Sequence, residues 1–207
     1  MSKLETNTID TISGTNTLQV GDGNVATINL GKSGDTINIP SGATITNSGT
    51  ANNFGGTNTP AFEAYLGGSG GQAVTNNAVT LVQANTEVYD TDSAYNTSTY
   101  RFTPQVAGKY FAYATIQMET GANANLDDAY LYFKLNGSTI IELVNVFASN
   151  FIRMNTISGH IVVDMNGSSD YLELYGRILS VSGSGQLFES NTQWKRATNF
   201  GAYRIIT

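Results

Sequence analysis

Between residues 90 and 114 the chain reads DTDSAYNTSTYRFTPQVAGKYFAYA, and the second half of this stretch constrains the fold more than any other segment. Residues 110–118 alternate as a β-strand. Tyr110, Ala112, Ala114, Ile116 and Met118 leave one face, and Phe111, Tyr113, Thr115 and Gln117 leave the other. Large aromatic side chains on both faces predict cover on both faces. In a two-layer sandwich only one face of a strand meets the core, so the second calls for another partner. Upstream, residues 99–103 (TYRFT) are a short β-type run, which Pro104 ends by removing a backbone donor; Gly108 supplies the turn into the longer strand.

The remainder of the second half alternates in the same way. Runs at 61–66, 79–82, 87–89, 129–135, 139–147, 154–165 and 170–181 predict antiparallel strands, with Asn136-Gly137 as a tight hairpin turn. Leu131, Phe133 and Leu135 are expected inward, and Tyr130, Tyr132 and Lys134 outward. Ile157, Ile161 and Val163 share one face of their strand, and Ser158, His160 and Val162 the other. Leu172 and Leu174 read as inward, and the glycine-rich runs at 67–71 and 183–185 as loops. No stretch sustains a helical period, so the class is all-β.

The first 58 residues are a different material. Thr-Ile recurs at Thr8, Thr11, Thr27, Thr36 and Thr44, the last three copies nine and eight residues apart with glycine-containing turns between them. This predicts strands of two to four residues joined by tight turns. A disordered polar leader fits the low charge and spaced isoleucines less well. Too few large apolar residues are present for the segment to fold alone, and the chain has no cysteine to staple it, which leaves oligomerisation. Three copies wrapped about a threefold axis would bury Ile28, Leu30, Ile37, Ile39 and Ile45 and pair the exposed edges. The chain reads as a repetitive β-stem over 1–58, for trimerisation or anchoring, and a head domain over 59–207.

Asp90, Tyr95, Phe102, Gly108 and Tyr110 follow one another at spacings of five, seven, six and two. That pattern resembles the signature of the globular head domain of the first complement component, in the complement and tumour-necrosis-factor superfamily. Ala84, Ala112 and Ala114 depart from it, each small where an aromatic is usual. Asn199-Phe200-Gly201-Ala202-Tyr203 is similar to the closing strand of that family. The resemblance implies a jelly-roll sandwich of two antiparallel sheets that assembles as a compact trimer. In that family the sheet holding the equivalent of strand 110–118 and the C-terminal strand faces the axis, which implies that Phe111, Tyr113, His160 and Tyr203 lie near the threefold. Arg204 shares parity with Phe200 and Ala202, so the last strand is expected to leave the core there. The run INLGKSGDTINIPSGATITNSGTA in turn resembles the repetitive stem of phage tail fibres.

Candidate chemistry is sparse. A net charge of −6 argues against nucleic acid and anionic membrane as partners, since both need clustered Lys and Arg, and no apolar run reaches the length of a membrane span. The absence of cysteine removes disulfides, thiolate zinc sites and thiol nucleophiles. His160 is the only histidine, which excludes a multi-histidine metal site within one chain; it reads as an interface residue before a catalytic base. Asp90 with Asp92, and Asp127 with Asp128, have the chemistry to flank a glycosidic bond or hold calcium, although adjacent acids in polar loops are more often solvated turns. No catalytic residue, metal ligand or cofactor is assigned, and calcium is the one ion that heads resembling this one imply. Trp194 reads as a lid on the sandwich edge, or as a sugar-stacking platform with Lys195 and Arg196 as donors.

These readings converge on a non-enzymatic trimeric virion appendage of a phage, its stem projecting a head that attaches to a host-surface glycan or protein. Recognition is expected in the loops 67–77, 121–128 and 183–196. The alternatives are a trimer that decorates or cements a capsid and, less favoured, a polysaccharide-cleaving tailspike. The N-terminus MSKLETNTID has no apolar core segment, so release in a lysis-borne particle made in the host cytoplasm is expected in place of a cleaved leader. The repeats begin almost at once, so the first 20 or so residues are the expected dock for other virion proteins.

Overall fold

The computed structural model of the protein describes residues 27–28, 30–49, 58–147, 151–190 and 195–205. Its contacts divide the chain into two units, Met1–Asn52 and Asn53–Thr207. In the first unit, tight turns are closed by the Asp35 amide donating to the Lys32 carbonyl (3.0 Å) and the Ala43 amide donating to the Pro40 carbonyl (3.1 Å). The short strands expected around these turns do not form among the described residues. A run of two to four residues in a single chain has no neighbouring strand to complete its ladder. Ile28, Leu30, Ile37, Ile39 and Ile45 are all exposed, from 46% to 67%. The copies at Thr8 and Thr11 lie outside the described residues.

Among its described residues the second unit holds strands and no helix: β1 (Ala61–Tyr65), β2 (Gln72–Val74), β3 (Thr80–Leu81), β4 (Thr86–Asp90), β5 (Tyr95–Asn96), β6 (Arg101–Phe102), β7 (Gly108–Thr120), β8 (Leu126–Leu135), β9 (Ser138–Val146), β10 (Met154–Met165), β11 (Leu172–Ser180), β12 (Gly185–Leu187) and β13 (Asn199–Arg204). They form two antiparallel sheets. In the first, β10 runs along β7 from Gly108 to Glu119. The opposite edge of β7 is shared end to end by β13, which pairs with residues 110–115, and β12, which pairs with residues 118–120. β1 and β4 extend this sheet beyond β13, and β2 extends it beyond β12. The second sheet has the order β5-β6-β11-β8-β9, with β3 also on β11.

The inner faces enclose Phe62, Phe102, Tyr110, Ile116, Met118, Leu131, Phe133, Leu172, Leu174, Ile178 and Phe200, all fully buried. Each large apolar side chain among them contributes about 1.5–3 kcal/mol relative to exposure. The residues of the head signature build this core. Asp90 Oδ1 accepts from the Ala94 amide and Oδ2 from the Tyr95 amide, both at 3.0 Å. The Tyr95 ring stacks on Phe62 at 4.4 Å, Phe62 stacks on Phe102 at 4.7 Å, and Phe102 meets the edge of Tyr110 at 5.5 Å. Phe200, opposite Ala114 in the ladder, contacts both Phe62 and Phe133, so large rings fill the region where the alanines depart from the signature.

The hairpin at Asn136-Gly137 forms as expected, with φ of 53° and 78°, the paired positive values such a turn needs. Three expectations change. Residues 72–74 and 185–187, expected within the recognition loops 67–77 and 183–196, are strands β2 and β12: β12 satisfies the edge of β7 that β13 leaves open, and β2 pairs with the other edge of β12. The TYRFT run shortens to β6, since Tyr100 turns at φ 60° and its amide donates to the Asn96 carbonyl at 2.7 Å. Tyr132 leaves the outward face yet is only 5% exposed. Its ring lies parallel to Tyr130 at 6.0 Å, opposite Tyr175 in the ladder, with the Arg177 guanidinium 3.7 Å from the Tyr130 ring centre. Burial pushes the Tyr132 phenol up to about 12, against the nearby Arg177 charge.

Candidate functional site

Strand alternation places Phe111 and Tyr113 of β7, His160 of β10 and Tyr203 of β13 on the outward face of the first sheet. The structure brings all four together. The Phe111 ring stacks on the His160 imidazole, with centres 5.6 Å apart and planes 23° apart. It also lies 5.4 Å from Tyr203 and 6.4 Å from Tyr113. The three aromatic rings are half-buried, whereas His160 and its neighbour Val162 are exposed. Beside them the hydroxyls of Thr115 and Ser158 bond at 2.9 Å across the ladder.

The patch continues through a residue that sequence reasoning passed over. Glu63 of β1 accepts the Tyr113 hydroxyl on Oε2 (3.1 Å) and the Arg196 Nη1 on Oε1 (3.0 Å). Burial is the main reason the Tyr113 phenol is held well above its ordinary range; hydrogen bonding with Tyr89 and the Glu63 charge add to it. Arg196, a candidate ligand donor, is thus engaged by Glu63 on the sheet face. Its φ of 49° and the bond from its amide to Ser190 Oγ fix that position. Lys195 is exposed, and Trp194 lies outside the described residues. The signal available in the sequence was that Glu63 is the one charged residue in the run AFEAY, at an outward position.

A second apolar surface lies on the sandwich edge. Among the described residues β9 pairs only with β8, and it exposes Ile140, Val144 and Val146. On the inner side of the neighbouring β10, Gly159 sits against Leu143 of β9 and Leu131 of β8.

The strand registers also sort the loops. Ala61, Tyr203 and Gly108 lie at one end of the first sheet, and Tyr65, Thr120 and Gln186 at the other. The first described residues of the head lie at the first end, where the Arg204 amide donates to the Asn58 and Pro60 carbonyls and Asn58 Nδ2 donates to the Arg204 carbonyl. At the far end, parts of the three expected recognition loops line one cavity of about 250 Å³, bordered by Ala73, Glu119, Gly121, Ser184, Gly185 and Gln186. Glu119 is 8% exposed; its Oε1 accepts from Gln186 Nε2 at 2.8 Å and its Oε2 pairs with Arg153 Nε at 3.2 Å. Asn125 ties the loop after β7 to the loop after β11 by donating to the Ser182 carbonyl and accepting the Ser182 amide.

Both Asp90 oxygens are taken by backbone amides, and Asp92 accepts the Thr91 hydroxyl. A register shift against β11 interrupts the alternation of β8 at Asp127, and Asp128 accepts the Tyr130 hydroxyl at 2.8 Å. Among the described residues no three acids or histidines gather where a metal ion would fit.

No family model and no curated protein matches the sequence. Solved structures do. Murine APRIL superposes with a TM-score of 0.50 at 11% identity, over 70% of this chain and 98% of that one. The globular domain of zebrafish complement 1qA gives 0.48 at 16% identity, over 71% of this chain and 98% of that one. Eiger TNF from S. frugiperda gives 0.48 at 12%, over 70% and 91%. At such identities the likeness is one of fold. With the order of strands in its two sheets, it makes the second unit a jelly-roll β-sandwich with the fold of murine APRIL.

Proposed function

We propose that the protein is a non-enzymatic, homotrimeric appendage of a phage virion, a fibre or spike whose jelly-roll head attaches the particle to a host-surface glycan or protein. The observation that carries this reading is the polarity of the head. Its first described residues lie at one end, and the loops after β7 and β11 meet strands β2 and β12 around a shared cavity at the other. Variable loops on a rigid sandwich are where recognition concentrates.

Trimerisation is supported by the exposed isoleucines of the repeat, which have no cover in one chain, and by two unlike apolar surfaces on the head. One is the sheet face around Phe111, Tyr113, His160 and Tyr203; the other is the β9 edge. A contact between unlike surfaces of identical subunits forms a ring where its rotation closes, here with three copies about the axis. Other virion proteins hold the N-terminal segment, and weak binding at each head gains through three-fold avidity.

The test applies the full chain to host cells beside a Gly121→Trp, Ser184→Trp chain. The Gly121 position has open space for a side chain, and both substitutions fill the cavity. The full chain is expected to bind and to block particle adsorption, and the variant to lose both while keeping its oligomeric state. Capture by capsid protein with no binding to cells would make it a decoration or cement trimer instead.

A further inference from the structure

We propose that the cavity at the far end of the head takes a neutral sugar, a single ring of a host glycan, with Glu119 as the acceptor for its neighbouring hydroxyls. The inference rests on the attachment reading above and names the ligand class of that same site. Strand register puts Glu119 of β7, Gln186 of β12 and Ala73 of β2 in one row across adjacent strands, on the outward face of the first sheet. All three border the cavity, and Gly121, Ser184 and Gly185 complete the border. Ala73 and the glycines are too small to fill the space between them. At about 250 Å³ the space is smaller than the pockets of drug-sized ligands, roughly 300–1,000 Å³, and suits one ring in place of a chain.

The chemistry of the border selects the class. None of the six described residues around the cavity is aromatic or large and apolar, so an apolar ligand gains little there. Glu119 carries the one formal charge among them and is 8% exposed. A carboxylate has about four acceptor positions; Gln186 Nε2 fills one at 2.8 Å and Arg153 Nε another at 3.2 Å. Gln186 Nε2 keeps a second hydrogen, and the Ser184 hydroxyl both donates and accepts. Acceptors at Glu119 beside donors at Gln186 and Ser184 match neighbouring hydroxyls, each of which gives one hydrogen bond and receives another. An ammonium group brings donors alone and leaves the Gln186 hydrogen without an acceptor. An acidic sugar would bring a second carboxylate against Glu119, and Arg153, already bound to Glu119, is not among the residues that border the cavity.

The experiment measures binding of the labelled full chain to host cells treated with mild periodate, which cleaves the carbon–carbon bond between neighbouring hydroxyls, or with protease. Untreated cells are then challenged with methyl glucoside, galactoside or mannoside and with glucuronic, galacturonic or mannuronic acid as competitors. Binding is expected to be lost after periodate, kept after protease, and competed by a neutral hexoside more strongly than by its uronic acid. Glu119→Gln, with circular dichroism confirming its β-structure, is expected to bind the neutral competitor at least about tenfold more weakly and to discriminate less against the acid. Competition by the wild-type chain decides the matter alone if that variant does not fold. If cells are bound but protease abolishes binding and periodate does not, or if no hexoside competes better than its acid, the inference fails and the attachment reading stands. A full chain that binds no host cells overturns both.

Discussion

The ring of Tyr113 lies against Gly201, its cross-strand partner in the ladder between β7 and β13. A Cβ at position 201 would fall inside van der Waals contact of the Tyr113 ring, so the glycine makes the room in which the aromatic lies down on the sheet. That posture lets the Tyr113 hydroxyl reach Glu63, two strands away.

Gly201→Ala is accordingly expected to destabilise the head by about 1–3 kcal/mol, the usual cost of an added methyl in a filled space. Chemical denaturation measures it. Adding Tyr113→Ala to the same chain removes the obstacle, so the double variant should lose less than the sum of the two single changes. Strict additivity would mean that the ring and the glycine do not oppose each other.

Asp90→Ala removes the acceptor for two backbone amides at the start of the aromatic stack. A loss of about 1–3 kcal/mol is expected from the donors left unpaired. Because both carboxylate oxygens serve the backbone, any change of melting temperature between calcium and chelator should be the same in the wild type and in Asp90→Ala. A calcium-dependent rise abolished by Asp90→Ala would contradict this assignment.

Alkaline pH should destabilise the head through its tyrosines. Burial is the leading cause that raises the phenols of Tyr95, Tyr113 and Tyr132, the last to about 12. The folded chain therefore holds protons that the unfolded chain releases near pH 10, so this contribution is complete below about 10 and falls as pH rises beyond it. An ultraviolet titration should show exposed tyrosines ionising first and the buried set only as the fold is lost. A single transition near pH 10 without unfolding would refute the expectation.

Much of this architecture was legible along the chain. The alternation of Leu131 and Phe133 against Tyr130 and Lys134 marks β8, and that of Ile157 and Val163 against Ser158 and Val162 marks β10, because side-chain period is a local property. The outward grouping of Phe111, Tyr113, His160 and Tyr203 was also legible, through parity and the family resemblance. Other features were not. β12 is a strand only because an edge of β7 is open beside it, β2 only because β12 then offers its own edge, and Tyr132 is covered only because Tyr130, Tyr175 and Arg177 gather around it. Neither can be read from three or four consecutive residues.

The sequence by itself determined the all-β class, the turn at Asn136-Gly137 and the parity of each long strand, all of which follow from backbone sterics and the two-residue period of a pleated chain. Only the tertiary structure decided which strands became neighbours. That choice gave Glu63 to both Tyr113 and Arg196, laid His160 on Phe111, and drew Ala73, Gly121 and Gln186 around one cavity. The physical reason is that pairing and register are set by how the whole core packs, and shifting a strand by a single residue would move every one of these side chains to the opposite face.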